Sequence, residues 1–455
     1  MVRPVSTDQL VATDSQYLLH PLHSSTHRAR VLVRGQGSVM WDVDGREYID
    51  GLSGLWNVNV GHGRVELADA AQRQMSTLAF CSSYNGQSNL PAIELAERLS
   101  RLAYPNLNTT FFTSGGAESN ESAFKTARYV WKRRGKPAKV KIISRRHGYH
   151  GVTMAAMSAT GLPPYHTMFG PLVPNFIQID GPYLYRCPNG VDPVTWAPAT
   201  GEALEKQILE EGSDTVAAFI AEPVMGAGGV VVPTAGYFKQ IRAVCDKYDI
   251  LFIADEVITG FGRTGRFFAL ERWGVQPDIM SFAKGITSGY IPLGGIMVSD
   301  EIADLIRGGS GGATWMHAYT YSAHPTACAV GLANLDIVAR ERLVEKSADT
   351  GAYLLSRLKD LEQLPNVDGA RGLGMMAAIE IVDDKATKTG FPAERGVSAR
   401  AIALAAEKGL ITRQRHYGAG ESIMLAPPLT TTRDQVDRVI SILADAIPAA
   451  VKATT

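Results

Sequence analysis

Leu251-Phe252-Ile253-Ala254-Asp255-Glu256-Val257, followed by Lys284 in Ile279-Met280-Ser281-Phe282-Ala283-Lys284-Gly285, is the pair of stretches on which the fold turns. Each is a short apolar run that ends in a charged side chain. The separation of Asp255 from Lys284 is about one strand–helix–strand step. A carboxylate that leaves a buried strand is costly unless it is paired. Its partner is either an arginine, a helix terminus that it caps, or the N–H of a protonated ring. Lys284 also has two readings. A free lysine titrates near ~10.4 and is a poor nucleophile at neutral pH. Burial and nearby positive charge favour the neutral amine that attacks an aldehyde. Taken singly, a lysine at a strand end is usually just exposed.

Outward from that pair the same rhythm repeats. Residues 109–113, 140–144, 216–220 and 250–254 read as strands, and residues 64–75, 91–103, 120–132 and 236–248 have helical apolar spacing. Strands alternating with helices predict an α/β fold with a mostly parallel sheet covered on both faces. Functional groups are then expected where the strands end. Residues 31–50 read as short strands around the turn Val43-Asp44-Gly45-Arg46. Residues 183–200 are rich in Pro and Gly and read as a long excursion at the surface. From Ala329 onward a long helical segment and a strand at 374–381 predict a second domain.

The 455 residues suffice for one large domain and a smaller one. Lys plus Arg equals Asp plus Glu, 45 against 45, so no electrostatic hold on nucleic acid or an anionic membrane is expected. No apolar stretch is long enough to span a bilayer, and the first thirty residues do not read as a leader. The four cysteines lack CxxC spacing and read as reduced thiols. The expectation is a cytoplasmic globular enzyme.

Three further groups bear on chemistry. Ser114-Gly115-Gly116 sits where a strand meets a helix; free N–H groups and the helix dipole there favour an anion. The alternative is a plain glycine turn with Ser119 capping the helix. In His147-Gly148-Tyr149-His150-Gly151 the glycines argue for a tight loop rather than a metal site, and Tyr149 is the residue that stacks on a ring. His20, His23 and His27 read as a polar segment, so no metal is expected. Thr320, between Tyr319 and Tyr321, is either a phosphate contact or a strand threonine. Taken together, an amine for an aldehyde, an acid for a ring nitrogen and a cradle for a phosphate match what pyridoxal 5'-phosphate requires. That cofactor withdraws electrons only while its pyridine is cationic.

The joint pattern resembles the class III aminotransferases, pyridoxal-phosphate enzymes of fold type I, and among them the omega-transaminases that often use pyruvate. The resemblance runs from Trp41-Asp42-Val43-Asp44-Gly45 to Ala426-Pro427-Pro428-Leu429. It is most specific in Asp255-Glu256-Val257-Ile258-Thr259-Gly260-Phe261-Gly262-Arg263-Thr264-Gly265 and in Lys284-Gly285-Ile286-Thr287-Ser288-Gly289-Tyr290-Ile291-Pro292-Leu293-Gly294. It implies a large domain at 61–330, and a smaller α+β domain built from an N-terminal segment, 1–60, and residues 331–455.

It also implies roles. Lys284 is then the Schiff-base lysine and Asp255 the partner of the pyridine nitrogen. Val257 and Tyr149 cover the two ring faces, and Ser114, Gly115 and Gly116 form the phosphate loop. Thr320 reaches the phosphate in the neighbouring subunit of a homodimer, or of a tetramer. Glu222 is an acid near the cofactor that pairs with a mobile arginine. Trp56, Tyr84 and Ala227 line the substrate pocket, and Arg413 binds the acceptor's carboxylate, with Arg415 the alternative. Relatives often carry a hydroxyl residue where this chain has Gly116. The activity implied is ping-pong transfer of an amino group from a primary amine or omega-amino acid to an oxo acid, with pyruvate the expected acceptor. Rival readings are an aminomutase or a decarboxylating transaminase of the same fold, or a non-catalytic protein that binds the cofactor.

Overall fold

The architecture is that of a computed structural model, which describes residues 6–24, 28–84, 86–308, 313–415 and 420–453. Its centre is a seven-stranded sheet. In spatial order the strands are Leu107–Thr113, Gly294–Ser299, Ile279–Phe282, Leu251–Asp255, Val216–Ala221, Lys141–Arg145 and Phe176–Ile179. From Ile279–Phe282 to Phe176–Ile179 every neighbouring pair is parallel. Gly294–Ser299 runs antiparallel to both of its neighbours. The middle strands Val216–Ala221, Leu251–Asp255 and Ile279–Phe282 are buried along their whole length, as strands covered on both faces must be.

Alternation along each strand sorts the side chains into two layers. Phe219, Phe252 and Met280 pack with Leu95, Ile208, Phe238 and Ile241 from the helices on one face. Ala218, Ile220, Ile253 and Ile279 pack with Phe124, Ala127 and Trp131 on the other. These last three belong to the helix Gly116–Arg133, whose buried stripe lies across the sheet. Burying one such Ile or Phe contributes about 1.5–3 kcal/mol.

The chain's two ends meet in a smaller α+β part. Leu410–Ile411 pairs in parallel with the N-terminal strand Glu47–Asp50. Ile49 packs in one cluster with Leu354, Ile379, Leu410, Ile423 and Leu443. A further sheet orders Val367–Gly372, Ala377–Ile381, Glu421–Leu425 and Arg413–Arg415.

Three boundaries differ from the sequence reading. The helix expected at 120 starts at Gly116, because Gly115 is extended and serves as its N-cap. Ser119 is not a cap; it lies within the helix and its Oγ donates to the Gly115 carbonyl. The expected cut at residue 330 falls inside the helix Pro325–Arg340, which packs on Val65–Leu78 and Leu90–Leu102. The long helical segment breaks after it at Arg342, which has φ 52°, before Leu343–Asp360. Among the described residues no helix is long and apolar enough to cross a membrane, and no cluster of His, Cys, Asp and Glu could hold a metal ion. His27 lies outside the described residues.

Candidate active site

Asp255 is the last residue of its strand, and its register partner on the next strand is Ser281. Lys284 follows two residues after that neighbouring strand ends, at φ 49°, where a short turn over Lys284–Ile286 begins. The parallel register therefore brings both side chains to the carboxyl edge of the sheet, where such folds open clefts. Gly285 permits this turn: a Cβ there would come within 2.6 Å of Asn59 Nδ2.

Lys284, Asp255, Val257, Tyr149, Glu222 and the loop 114–116 line one cavity of about 330 Å³. That is within the usual range for small-molecule sites. Asp255 is 2% exposed. Its Oδ2 accepts from Asn120 Nδ2 at 2.8 Å and from His150 Nδ1 at 2.7 Å, and its Oδ1 accepts from the Val257 N–H at 3.1 Å. The buried carboxylate thus has hydrogen-bond donors on both oxygens. Burial draws the Lys284 amine below the ordinary lysine range, opposed by Asp255 and Glu222 and aided by Arg413. Such a lysine is nearer to the neutral, nucleophilic form.

Glu222 is also buried. Its Oε1 accepts from the Tyr149 N–H and its Oε2 from the Gly226 N–H, both at 2.9 Å. Burial still raises its pKa above the usual carboxylate range. Burial pushes the Tyr149 phenol up to about 12, and its ring stands 5.6 Å from that of Tyr165. The start of the helix Gly116–Arg133 also lines the cavity, and the first N–H groups of a helix have no intrahelical partner, an arrangement that favours an anion. The Ser114 N–H is engaged by Glu118 Oε2 at 2.8 Å. The missing side chain at Gly116 has a physical reason, since a Cβ there would meet Val257 Cγ1 at 2.8 Å.

Other expected residues are placed differently. Trp56 does not line the cavity; it is 2% exposed and packs in the core, while its neighbour Asn57 forms cavity wall. Ala227 is buried beside the cavity without lining it. Tyr84 is 46% exposed and Thr320 is exposed in a turn, not a strand, so neither reaches the cavity of its own chain.

The choice between the two arginines is sharper. Arg415 is fully buried, donates from Nη2 to Tyr183 Oη at 2.6 Å and lies 3.6 Å from Glu380. Arg413 is only partly buried, and its charge is felt by both Lys284 and Tyr149. Residues 416–419, which follow Arg415, lie outside the described residues.

Asn120 and His150 are the residues that sequence reading missed. The signal was present in principle, since a buried carboxylate requires donors. Only tertiary packing brings a helix residue and a loop histidine to it.

Comparison with known proteins follows the geometry. The family model described as Aminotransferase class-III matches residues 22–447. A putrescine–pyruvate aminotransferase of Pseudomonas aeruginosa is 41% identical over 91% of this chain and 89% of its own. A diaminobutyrate–2-oxoglutarate transaminase of Halomonas elongata is 42% identical over 92% of each. The crystal structure of a thermostable (S)-enantioselective omega-transaminase from Thermomicrobium roseum superposes with a TM-score of 0.93. It is 50% identical, with 98% of this chain and 99% of that one covered.

Proposed function

This chain belongs to the class III aminotransferases, and from that premise we propose that it is a pyridoxal-phosphate enzyme of the omega-transaminase kind. It takes an amino group from a primary amine or omega-amino acid and passes it to an oxo acid, pyruvate first among the acceptors, in two alternating half-reactions. The observation that carries this reading is one juxtaposition: a partly buried Lys284, a triply hydrogen-bonded Asp255 and a helix N-terminus line the same cavity. Pyruvate is favoured by the name of the Pseudomonas relative. The relatives reported above are aminotransferases by name, so the mutase, decarboxylating and non-catalytic readings are not carried forward.

The residues fit the cofactor. His150 Nε2 and Asn120 Oδ1 are buried without partners among the described residues, so the wall around Asp255 keeps unused polar capacity. The cradle at Gly116 is closed to any side chain by Val257. Lys284 would hold the group covalently, Asp255 its ring nitrogen, Val257 and Tyr149 its two faces, and the loop 114–116 its phosphate. When bound, the group supplies an electron sink for charge developing at the substrate carbon.

The protein's own work is then acid–base and electrostatic. With the group bound, Lys284 would also be the base that carries the proton to and from the substrate carbon. Burial, which lowers its pKa from the ordinary lysine range, favours the neutral form that a base requires. Asp255, already held by His150, Asn120 and the Val257 amide, needs no reorganisation to keep the ring nitrogen charged. Arg413 binds the acceptor's carboxylate and leaves when the donor has none, since a fixed buried cation would be unpaired in one half-reaction. Glu222, with one backbone donor on each oxygen, keeps lone pairs with which to receive it.

The same reading makes the molecule a cytoplasmic homodimer, with Thr320 supplied across the interface, Tyr84 shaping the substrate pocket, and Trp56 and Ala227 packing behind its wall. The divisions at residues 60 and 330 approximate its domains. Screening amine donors against pyruvate by alanine formation tests the activity. The expected result is alanine from at least one carboxylate-free amine and none from Lys284→Ala. A Lys284→Ala protein with near-normal turnover would overturn it.

A further inference from the structure

Arg413 and Arg415 stand two apart in one strand, so their side chains leave the same face. Gln414 leaves the other face and accepts from Ser398 Oγ at 2.8 Å, in the helix Val397–Glu407. The arginine face looks onto a buried polar cluster. Glu380, fully buried on Ala377–Ile381, has Arg371 at 2.6 Å, Arg186 at 3.4 Å and Arg415 at 3.6 Å. The Tyr183 hydroxyl donates to Glu380 Oε1 and accepts from Arg415 at 2.6 Å and Arg371 at 3.2 Å.

This cluster reaches the cavity through a glycine loop. Arg371 donates to the Gly229 carbonyl from Nε at 2.9 Å and from Nη2 at 2.5 Å. A Cβ on Gly229 would stand 2.9 Å from Arg415 Nε, so only glycine admits the arginine so close. Gly228 presses on the His147 carbonyl, where a Cβ would sit at 2.1 Å, and the Gly226 N–H holds Glu222. His147 leads two residues on to Tyr149. The cluster thus ties the strand carrying Arg413 to the glycine loop 226–229 and, through His147 and Glu222, to residues next to or in the cavity wall.

We propose that Arg415, with Glu380 and Tyr183, is a positioning group for Arg413, so that recognition of the acceptor's carboxylate depends on residues that never touch it. This rests on the reading of Arg413 as the carboxylate binder. Arg415 is then no substitute for Arg413. Its fork is committed to Tyr183, Ser422 and Glu380, and its rigidity defines where Arg413 starts and returns.

The test uses the cofactor-loaded protein and follows each half-reaction by rapid mixing and cofactor absorbance. The probes are a carboxylate-free primary amine in one direction, and pyruvate or propanal, which lacks the carboxylate, in the other. Tyr183→Phe removes the hydroxyl's three hydrogen bonds to Glu380, Arg415 and Arg371, and the half-saturating pyruvate concentration is expected to rise by about tenfold or more. The limiting rate, the propanal reaction and the amine reaction stay within about twofold of wild type on the same arithmetic. Arg415→Lys, which keeps the charge but loses the fork, shows the same selectivity with a different size of loss.

Arg413→Ala is the reference. It loses pyruvate selectively, and adding Tyr183→Phe to it costs nothing more. A variant pair that loses pyruvate and propanal alike, an unchanged pyruvate dependence in both variants, or an additive double variant overturns the positioning role while leaving Arg413 in place. Arg413→Ala indifferent to pyruvate overturns the reading of Arg413 itself.

Discussion

At the scale of single residues, the chemistry depends on how two charges are kept out of water. Asp255 survives burial because three donors meet it. Asp255→Asn keeps the shape and removes the charge that a cationic ring requires. Turnover is expected to fall by at least about a hundredfold, as when a preorganised electrostatic partner is lost. Activity within a few-fold of wild type would contradict the role. His147 behaves oppositely. Burial, then the Arg415 charge, lowers its pKa from 6.5 to about 4. The unfolded chain therefore takes up this proton first as pH falls. Stability from the neutral ring is present above pH 6.5 and lost as pH falls toward about 4, by at most about 3 kcal/mol. Urea midpoints at pH 7 and pH 5 check this. His147→Asn, tolerated at the positive φ of this position, flattens the difference; an unaltered slope would exclude it. Lys284 and Asp255 were legible in the sequence because apolar runs deliver them to strand ends. Asn120 and His150 were not, because nothing local marks a donor whose acceptor lies on another strand.

At the scale of elements, the cavity is the meeting of strand ends with one helix start. The strands could be read from continuous apolar runs, and the helix only in part. Its first turn is Gly116-Ala117-Glu118-Ser119, residues that read as loop by composition. Gly115 in an extended conformation starts it early, and Val257 from another element dictates that position 116 be glycine. Gly116→Ser is therefore expected to push Val257 aside and weaken cofactor affinity by about tenfold or more, a cost of the size that overpacking brings. Equilibrium titration of the apo-protein with pyridoxal phosphate measures it, and an affinity equal to wild type would show that the contact relaxes freely. The break at Arg342 was likewise hidden, since apolar residues continue at helical spacing across it.

At the scale of the whole molecule, the two ends of the chain build one small part that reaches over the large sheet. Leu410–Ile411 joins the N-terminal strands, and Arg413–Arg415 turns toward the loops that carry Tyr149 and Glu222. On the proposed reading of Arg413, recognition of substrate depends on a strand remote in sequence from Asp255 and Lys284. The resemblance pointed to Arg413, and the partners of Arg415, Tyr183 and Glu380, lie on elements that no local sequence pattern reveals. Thr320 and Tyr84 are exposed on this chain, as the proposed homodimer requires of residues that serve a partner's site. Everything in this account still depends on Lys284 being the attachment point. Borohydride reduction of the cofactor-loaded protein, followed by proteolysis and mass mapping, tests it most directly. The account predicts a single reduced pyridoxyl group, on the peptide containing Lys284. A modified peptide from any other lysine, or none at all, would contradict it.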